Sequence, residues 1–179
     1  MRHELLVPLS IALVVGLAAV GVACGRLMGR RQHLVPGDAV PDLEVRNQEG
    51  ASLRLSHYRG HPLVVYFYPK DRTPGCTVEA QAFRADYPKF KALGVEILGV
   101  SNDDVASHQD FCTKQALPFP LLADPDQAIA RAFGVKALLG FYQRITFVLD
   151  RDGVVRRVFD PVRPLGHARE VLGAVRELP

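Results

Sequence analysis

Cysteine is scarce in this chain, with three in 179 residues. Three cannot make the even disulfide framework that staples a small extracellular fold. No Cys-x-x-Cys pair opens a helix: the residue three after Cys76 is Glu79, which argues against a dithiol-exchange enzyme. No glycine-rich phosphate loop or dinucleotide fingerprint is present, so nucleotide sites of those kinds are excluded. No repeat or low-complexity tract interrupts the chain, and its length suits one domain with a substantial core. An excess of charge is also lacking. The net charge of +3 comes from the first 33 residues, with Arg2, Arg26, Arg30 and Arg31 against Glu4, and the remainder holds 18 basic and 18 acidic residues. A neutral domain without a basic aromatic cluster excludes nucleic acid as a partner. His57 and His61 stand four apart, but Gly60 and Pro62 make that stretch a loop and no third ligand is evident, so no metal site is expected.

What the chain does have, first, is an apolar run. Leu5–Cys24 is twenty uncharged residues, which as a helix spans about 30 Å of hydrocarbon. It reads as a single transmembrane helix within a membrane anchor at 1–31. Residues 32–40, with Pro36 and Gly37, read as a linker, and 41–179 as the domain. The expected location is a single-pass anchor in a bacterial-type inner membrane. Arg26, Arg30 and Arg31 after the run lean the domain toward the cytoplasmic face. Two other readings stay open. Gly21-Val22-Ala23 resembles a leader cleavage site, and Cys24 stands where a lipoprotein signal would be acylated.

The domain alternates element types. Leu43–Val45 and Leu53–Leu55 flank Asn47–Gly50, a hairpin pattern. Leu63–Tyr68 and Val95–Val100 are continuous apolar runs of strand length, suited to buried central strands. Between them, Ala80, Phe83, Tyr87 and Phe90 follow helical spacing from Thr77 to Leu93. A helix capped at Asp103 or Asp104 runs to about Leu117, and a shorter one covers Asp124–Phe133. Ile145–Leu149 and Val154–Phe159 flank the turn Asp150–Gly153, and His167–Leu178 is a final helix. Strand–helix–strand gives a parallel centre and the closing hairpin adds antiparallel strands. The expected fold class is α/β, a three-layer sandwich with a mixed central sheet.

In this frame Cys76 lies at the carboxyl end of a central strand, where open α/β sheets build their sites. A thiol at a helix start has backbone N–H groups and the positive helix end to stabilise its thiolate. Thr73, three residues earlier, offers a hydroxyl to the sulfur or to a substrate oxygen. Pro69 and Pro74 fix φ in the loop. A helix cap with two turn prolines would use the same residue types, and a lone cysteine is often just buried packing.

Tyr68-Pro69-Lys70-Asp71-x-Thr73-Pro74-Gly75-Cys76-Thr77-x-Glu79-Ala80 resembles the peroxiredoxin signature, in the wording of the bacterioferritin comigratory protein branch, also called peroxiredoxin Q. The resemblance runs from about Val35 to the C-terminus. It implies a thioredoxin-like fold and a thiol-dependent peroxidase that needs no cofactor. Hydrogen peroxide and organic hydroperoxides would be the substrates, thioredoxin or a similar dithiol the reductant, and a monomer the working form. Cys76 would be the peroxidatic residue, with Thr73 and Pro69 shaping its loop. Arg144, before Ile145-Thr146-Phe147, looks like the arginine that favours the thiolate and orients peroxide. Glu79 recurs in the branch, although a solvated carboxylate at a helix start reads equally well. The branch often has its resolving thiol five residues after the first, where this chain has Gln81. A subgroup has it on the next helix, and Cys112 fits that position. Phe111 and Leu117 would face the core, with Cys112 at its edge. A disulfide would then require Cys76 and the Cys112 turn to unwind locally. The alternatives are a membrane-tethered thiol–disulfide oxidoreductase and a non-catalytic thioredoxin-fold binding module.

Overall fold

The computed structural model describes residues 33–179. The apolar run at 5–24, read as a transmembrane helix, lies outside them. Nine strands and four α-helices follow in the order β1 (Glu44–Asn47), β2 (Ser52–Arg54), β3 (Leu63–Phe67), α1 (Pro74–Ala92), β4 (Glu96–Ser101), α2 (Val105–Gln115), β5 (Leu121–Ala123), α3 (Ala128–Phe133), β6 (Ala137–Leu138), β7 (Phe141–Tyr142), β8 (Ile145–Leu149), β9 (Val155–Phe159) and α4 (His167–Arg176). Seven strands form one sheet in the order β2-β1-β5-β4-β3-β8-β9. β4 runs parallel to β3 and β5, and β8 is antiparallel to β3, so the sheet is mixed.

Strand β3 shows why a continuous apolar run forms a central strand. Its residues are all buried, and alternation sends Val64 and Tyr66 to one face and Leu63, Val65 and Phe67 to the other. The first face packs against Ala80, Phe83 and Phe90 of α1, Phe111 of α2, and Val171 and Leu172 of α4. The second packs against Ile129, Ala130 and Phe133 of α3. Each fully buried side chain of this size contributes about 1.5–3 kcal/mol relative to exposure. The result is the three-layer sandwich.

Three departures from the sequence reading have local causes. Helix α1 begins at Pro74 rather than Thr77, because proline at the first helical position has its φ preset and needs no N–H partner. Cys76 therefore sits inside the first turn. Strand β5 was not foreseen. It is three residues long, and it joins the β1–β2 hairpin to β4. Residues 34–40, expected as linker, are fastened to the domain instead. The Leu34 amide donates to Phe133 O at 2.9 Å, that of Gly37 to Val155 O at 2.8 Å, and Ala39 bridges Val154.

Candidate active site

Two neighbouring strand ends assemble the site. Phe67 at the end of β3 pairs with Ile145 at the start of antiparallel β8. The loop leaving β3 toward Cys76 and the residue entering β8, Arg144, therefore meet. Arg144 Nη2 donates to Cys76 Sγ at 3.2 Å, and Nη1 donates to the Glu79 carboxylate. Cys76 is 1% exposed and Glu79 fully buried. Glu79 follows Cys76 by one helical turn, so both face Arg144 from α1.

The electrostatics are uneven. Burial pushes the Glu79 carboxyl up to about 7, against the pull of the Arg144 guanidinium. Burial works against the charge of Arg144, but Glu79 and Cys76 outweigh it and raise the guanidinium above its usual range. Glu79 Oε1 is buried without a hydrogen-bond partner. In the first turn of α1 the Gly75 and Cys76 amides have no acceptor within the helix. Arg144 and these N–H groups are donors of the kind that can stabilise a developing oxyanion.

The other expected residues are placed as follows. The Thr73 hydroxyl donates to Lys70 O at 3.2 Å, so its proton is committed to the loop while its lone pairs remain available to accept from a peroxide O–H. Thr73 is the N-cap residue of α1 but its side chain caps no helical amide. Pro69 is half-buried and lines a pocket of about 190 Å³ with Lys70, Asn102, Asp103, Leu139, Gly140 and Phe141. Cys112, expected at the edge of the core, is 9% exposed and belongs to the same core cluster as Cys76. Burial, then the nearby Asp71 carboxylate, push its thiol up to about 12. Cys76 and Cys112 are both free thiols.

Sequence reasoning missed one constellation. Asp71 is buried beneath the loop and accepts hydrogen bonds from Tyr68 Oη at 2.7 Å and Ser107 Oγ at 2.7 Å, with His108 Nδ1 at 2.9 Å. Nothing local in the sequence joins residues 71 and 108. Arg72 reaches Asp110 Oδ2 and Ser107 Oγ, both at 3.2 Å.

A thiol at the first turn of a helix, at the carboxyl end of a central strand and under an arginine, defines a thiol-based enzyme of thioredoxin-like fold. The AhpC/TSA family model matches residues 36–158, and the chain belongs to that family. It is 45% identical over 143 residues to "Peroxiredoxin Bcp" of Xanthomonas campestris, a match covering 75% of this chain and 89% of the relative. With "Peroxiredoxin Q, chloroplastic" of Oryza sativa it is 42% identical over 157 residues, covering 84% and 69%. Among solved structures, Xanthomonas campestris peroxiredoxin Q superposes with a TM-score of 0.73 at 42% identity, covering 82% of this chain and 98% of that one. Mycobacterium tuberculosis peroxidoxin BcpB gives a TM-score of 0.77 at 35% identity, covering 82% and 99%. The chain is a thiol-dependent peroxidase, which takes peroxide as substrate and a thiol as reductant.

These relatives also correct the expected location. They are named as chloroplastic peroxiredoxins Q and as a bacterial peroxiredoxin, and none is named for a membrane. Among the described residues no helix is long and apolar enough to cross a membrane. The single-pass inner-membrane anchor rested on the apolar run at 5–24, and against these relatives it does not stand.

Proposed function

We propose that Cys76 is the peroxidatic residue and Cys112 the resolving one. The observation that supports the first role is the 3.2 Å hydrogen bond from Arg144 Nη2 to Cys76 Sγ. A thiolate held under that guanidinium attacks one peroxide oxygen. The O–O bond breaks, Cys76 becomes a sulfenic acid, and the leaving oxygen takes a proton and departs as water or alcohol. Arg144 and the first-turn amides stabilise the departing oxygen, while Thr73 accepts from the peroxide hydroxyl and Pro69 walls the loop. Glu79 orients Arg144 from below.

Resolution follows when the Cys112 sulfur attacks the sulfenic sulfur. An S–S bond forms, the S–O bond breaks, and water leaves. Thioredoxin or a similar dithiol then reduces the disulfide. Support for Cys112 is its membership of the Cys76 core cluster and the presence of Gln81 at the other candidate position. Organic hydroperoxides suit the site as well as hydrogen peroxide, because Leu139 and Phe141 stand exposed in the lining of the Pro69 pocket. A structure of the Xanthomonas campestris bacterioferritin comigratory protein is described in terms of alkyl peroxide reduction. The working form is a monomer, with the domain at 33–179.

Intact mass under non-reducing conditions after one equivalent of hydrogen peroxide tests the two roles. Loss of two hydrogens is expected in the wild type and not in Cys76→Ser or Cys112→Ser. Retention of that loss in Cys112→Ser would remove the resolving role from Cys112. Peroxide consumption at the wild-type rate by Cys76→Ser would remove the peroxidatic role from Cys76.

A further inference from the structure

The buried polar cluster behind the Cys76 loop makes its hydrogen bonds to neither Cys76 nor Arg144. Asp71 stands in the loop five residues before Cys76, and its side chain is fully buried. His108, equally buried, stands on α2 one helical turn before Cys112. His108 Nδ1 meets Asp71 Oδ2 at 2.9 Å, and Nε2 meets Leu122 O at 3.1 Å. Both partners are acceptors, so a ring that satisfies them donates from both nitrogens. Ser107, beside His108, donates to the same Asp71 oxygen, and the Asp71 amide donates to Asp103 Oδ2 at 2.9 Å, just ahead of α2. The loop that presents one thiol is thus clasped, inside the protein, to the helix that holds the other.

A second clasp joins the helices at the surface. Gln81 Nε2 donates to Gln115 Oε1 at 2.8 Å, and Arg84 Nη1 to Gln115 O at 2.6 Å. These bonds are exposed, and water replaces them at small cost. Water does not reach Asp71 while α2 is in place. Removing one member of a buried pair strands the other without compensation, so of the two clasps the inner one is the more sensitive to substitution, alongside the packing of Phe111 that also holds α2.

We propose that the Asp71–His108 pair is a gate on disulfide formation: while it is made, helix α2 is held against the Cys76 loop, and when it parts, Cys112 is released to attack the Cys76 sulfenic acid. Asp71 and His108 are positioning residues that act through α2. The proposal rests on Cys112 being the resolving thiol. In the closed state Cys112 is buried near the Asp71 carboxylate, and both keep its thiol protonated. Opening α2 takes Cys112 away from both, so one movement frees the thiol and activates it.

The test follows a peroxide pulse by rapid quench with a thiol-blocking reagent and mass readout. The first phase is oxidation of Cys76, which scales with peroxide. The second is disulfide formation, which does not. In His108→Gln the second phase is expected to rise at least about tenfold relative to the first. A purely structural role for His108 would lower stability and leave that ratio unchanged, and an unchanged ratio overturns the gate. No disulfide in the wild type would overturn the resolving role of Cys112 and the gate with it. A disulfide forming at the wild-type rate in the variant overturns the gate alone. Hydrogen exchange of the wild-type protein decides the matter should the variant not fold. Residues 70–73 and 105–112 are expected to lose protection together in the disulfide form. Loss at 105–112 with 70–73 still fully protected would show that the two elements are not coupled, and would overturn the gate.

Discussion

Cys76 and Cys112 share one hydrophobic core cluster, and both are buried, yet their surroundings differ. Cys76 sits in the first turn of a helix and takes a hydrogen bond from Arg144. Cys112 sits near the end of a helix, with burial and Asp71 pushing its thiol up to about 12. Burial alone therefore says little about a cysteine's reactivity. What separates the two is the Arg144 guanidinium, which donates to Cys76, whereas the charge that weighs on Cys112 is the Asp71 carboxylate.

The largest way to break the contrast is to remove the cation. Arg144→Ala leaves Cys76 buried without its charged donor and strands Glu79. The second-order rate constant for Cys76 oxidation is expected to fall about 10²–10³-fold, the usual effect of losing one donor to a developing oxyanion. Stopped-flow oxidation measures it, and Arg144→Lys should recover part of the loss.

Next, Glu79→Gln keeps the shape under Arg144 and removes a titration. The Glu79 carboxyl rises from an ordinary 4.5 to about 7 in the folded chain. A raised carboxyl stabilises the fold fully below pH 4.5, and that contribution is lost as pH rises through 7. Urea unfolding across that window should show the wild type losing roughly 1–3 kcal/mol more than the variant.

Gly99→Ala presses on the wall of the shared cluster. A Cβ there would stand 2.5 Å from Leu121 Cδ2 and 2.7 Å from Tyr66 Cζ. Tyr66 stacks on Tyr68 and Phe83, so it has little freedom to withdraw. Overpacking of this kind costs about 1–3 kcal/mol, read from the urea midpoint. The smallest effect is expected at Gln81→Ala, which cuts the exposed tie to Gln115. The rate of disulfide formation should change less than about fivefold, from a hydrogen bond contributing about 0.5–1 kcal/mol.

Legibility in the sequence followed the distance between partners. Pro69 to Cys76 is one contiguous stretch, and its chemistry could be read from local residue types. The central strands were legible because Leu63–Phe67 and Glu96–Ser101 are nearly unbroken apolar runs. Arg144 could be found only through family resemblance, since its contact with Cys76 is made by the register of β8 on β3. Glu79 read equally well as a solvated carboxylate until the fold turned that side of α1 inward. The Asp71–His108 pair left no trace, because each residue suits its own element, a loop aspartate and a helical histidine, and only the docking of α2 joins them.

The contrast between the thiols is tested most directly by site-resolved alkylation of the reduced protein at pH 7, with tandem mass readout at each cysteine. Cys76 is expected to be modified at least about 100-fold faster than Cys112, because burial and Asp71 hold Cys112 as the thiol and only a thiolate reacts well. Equal rates, or Cys112 reacting first, would contradict it.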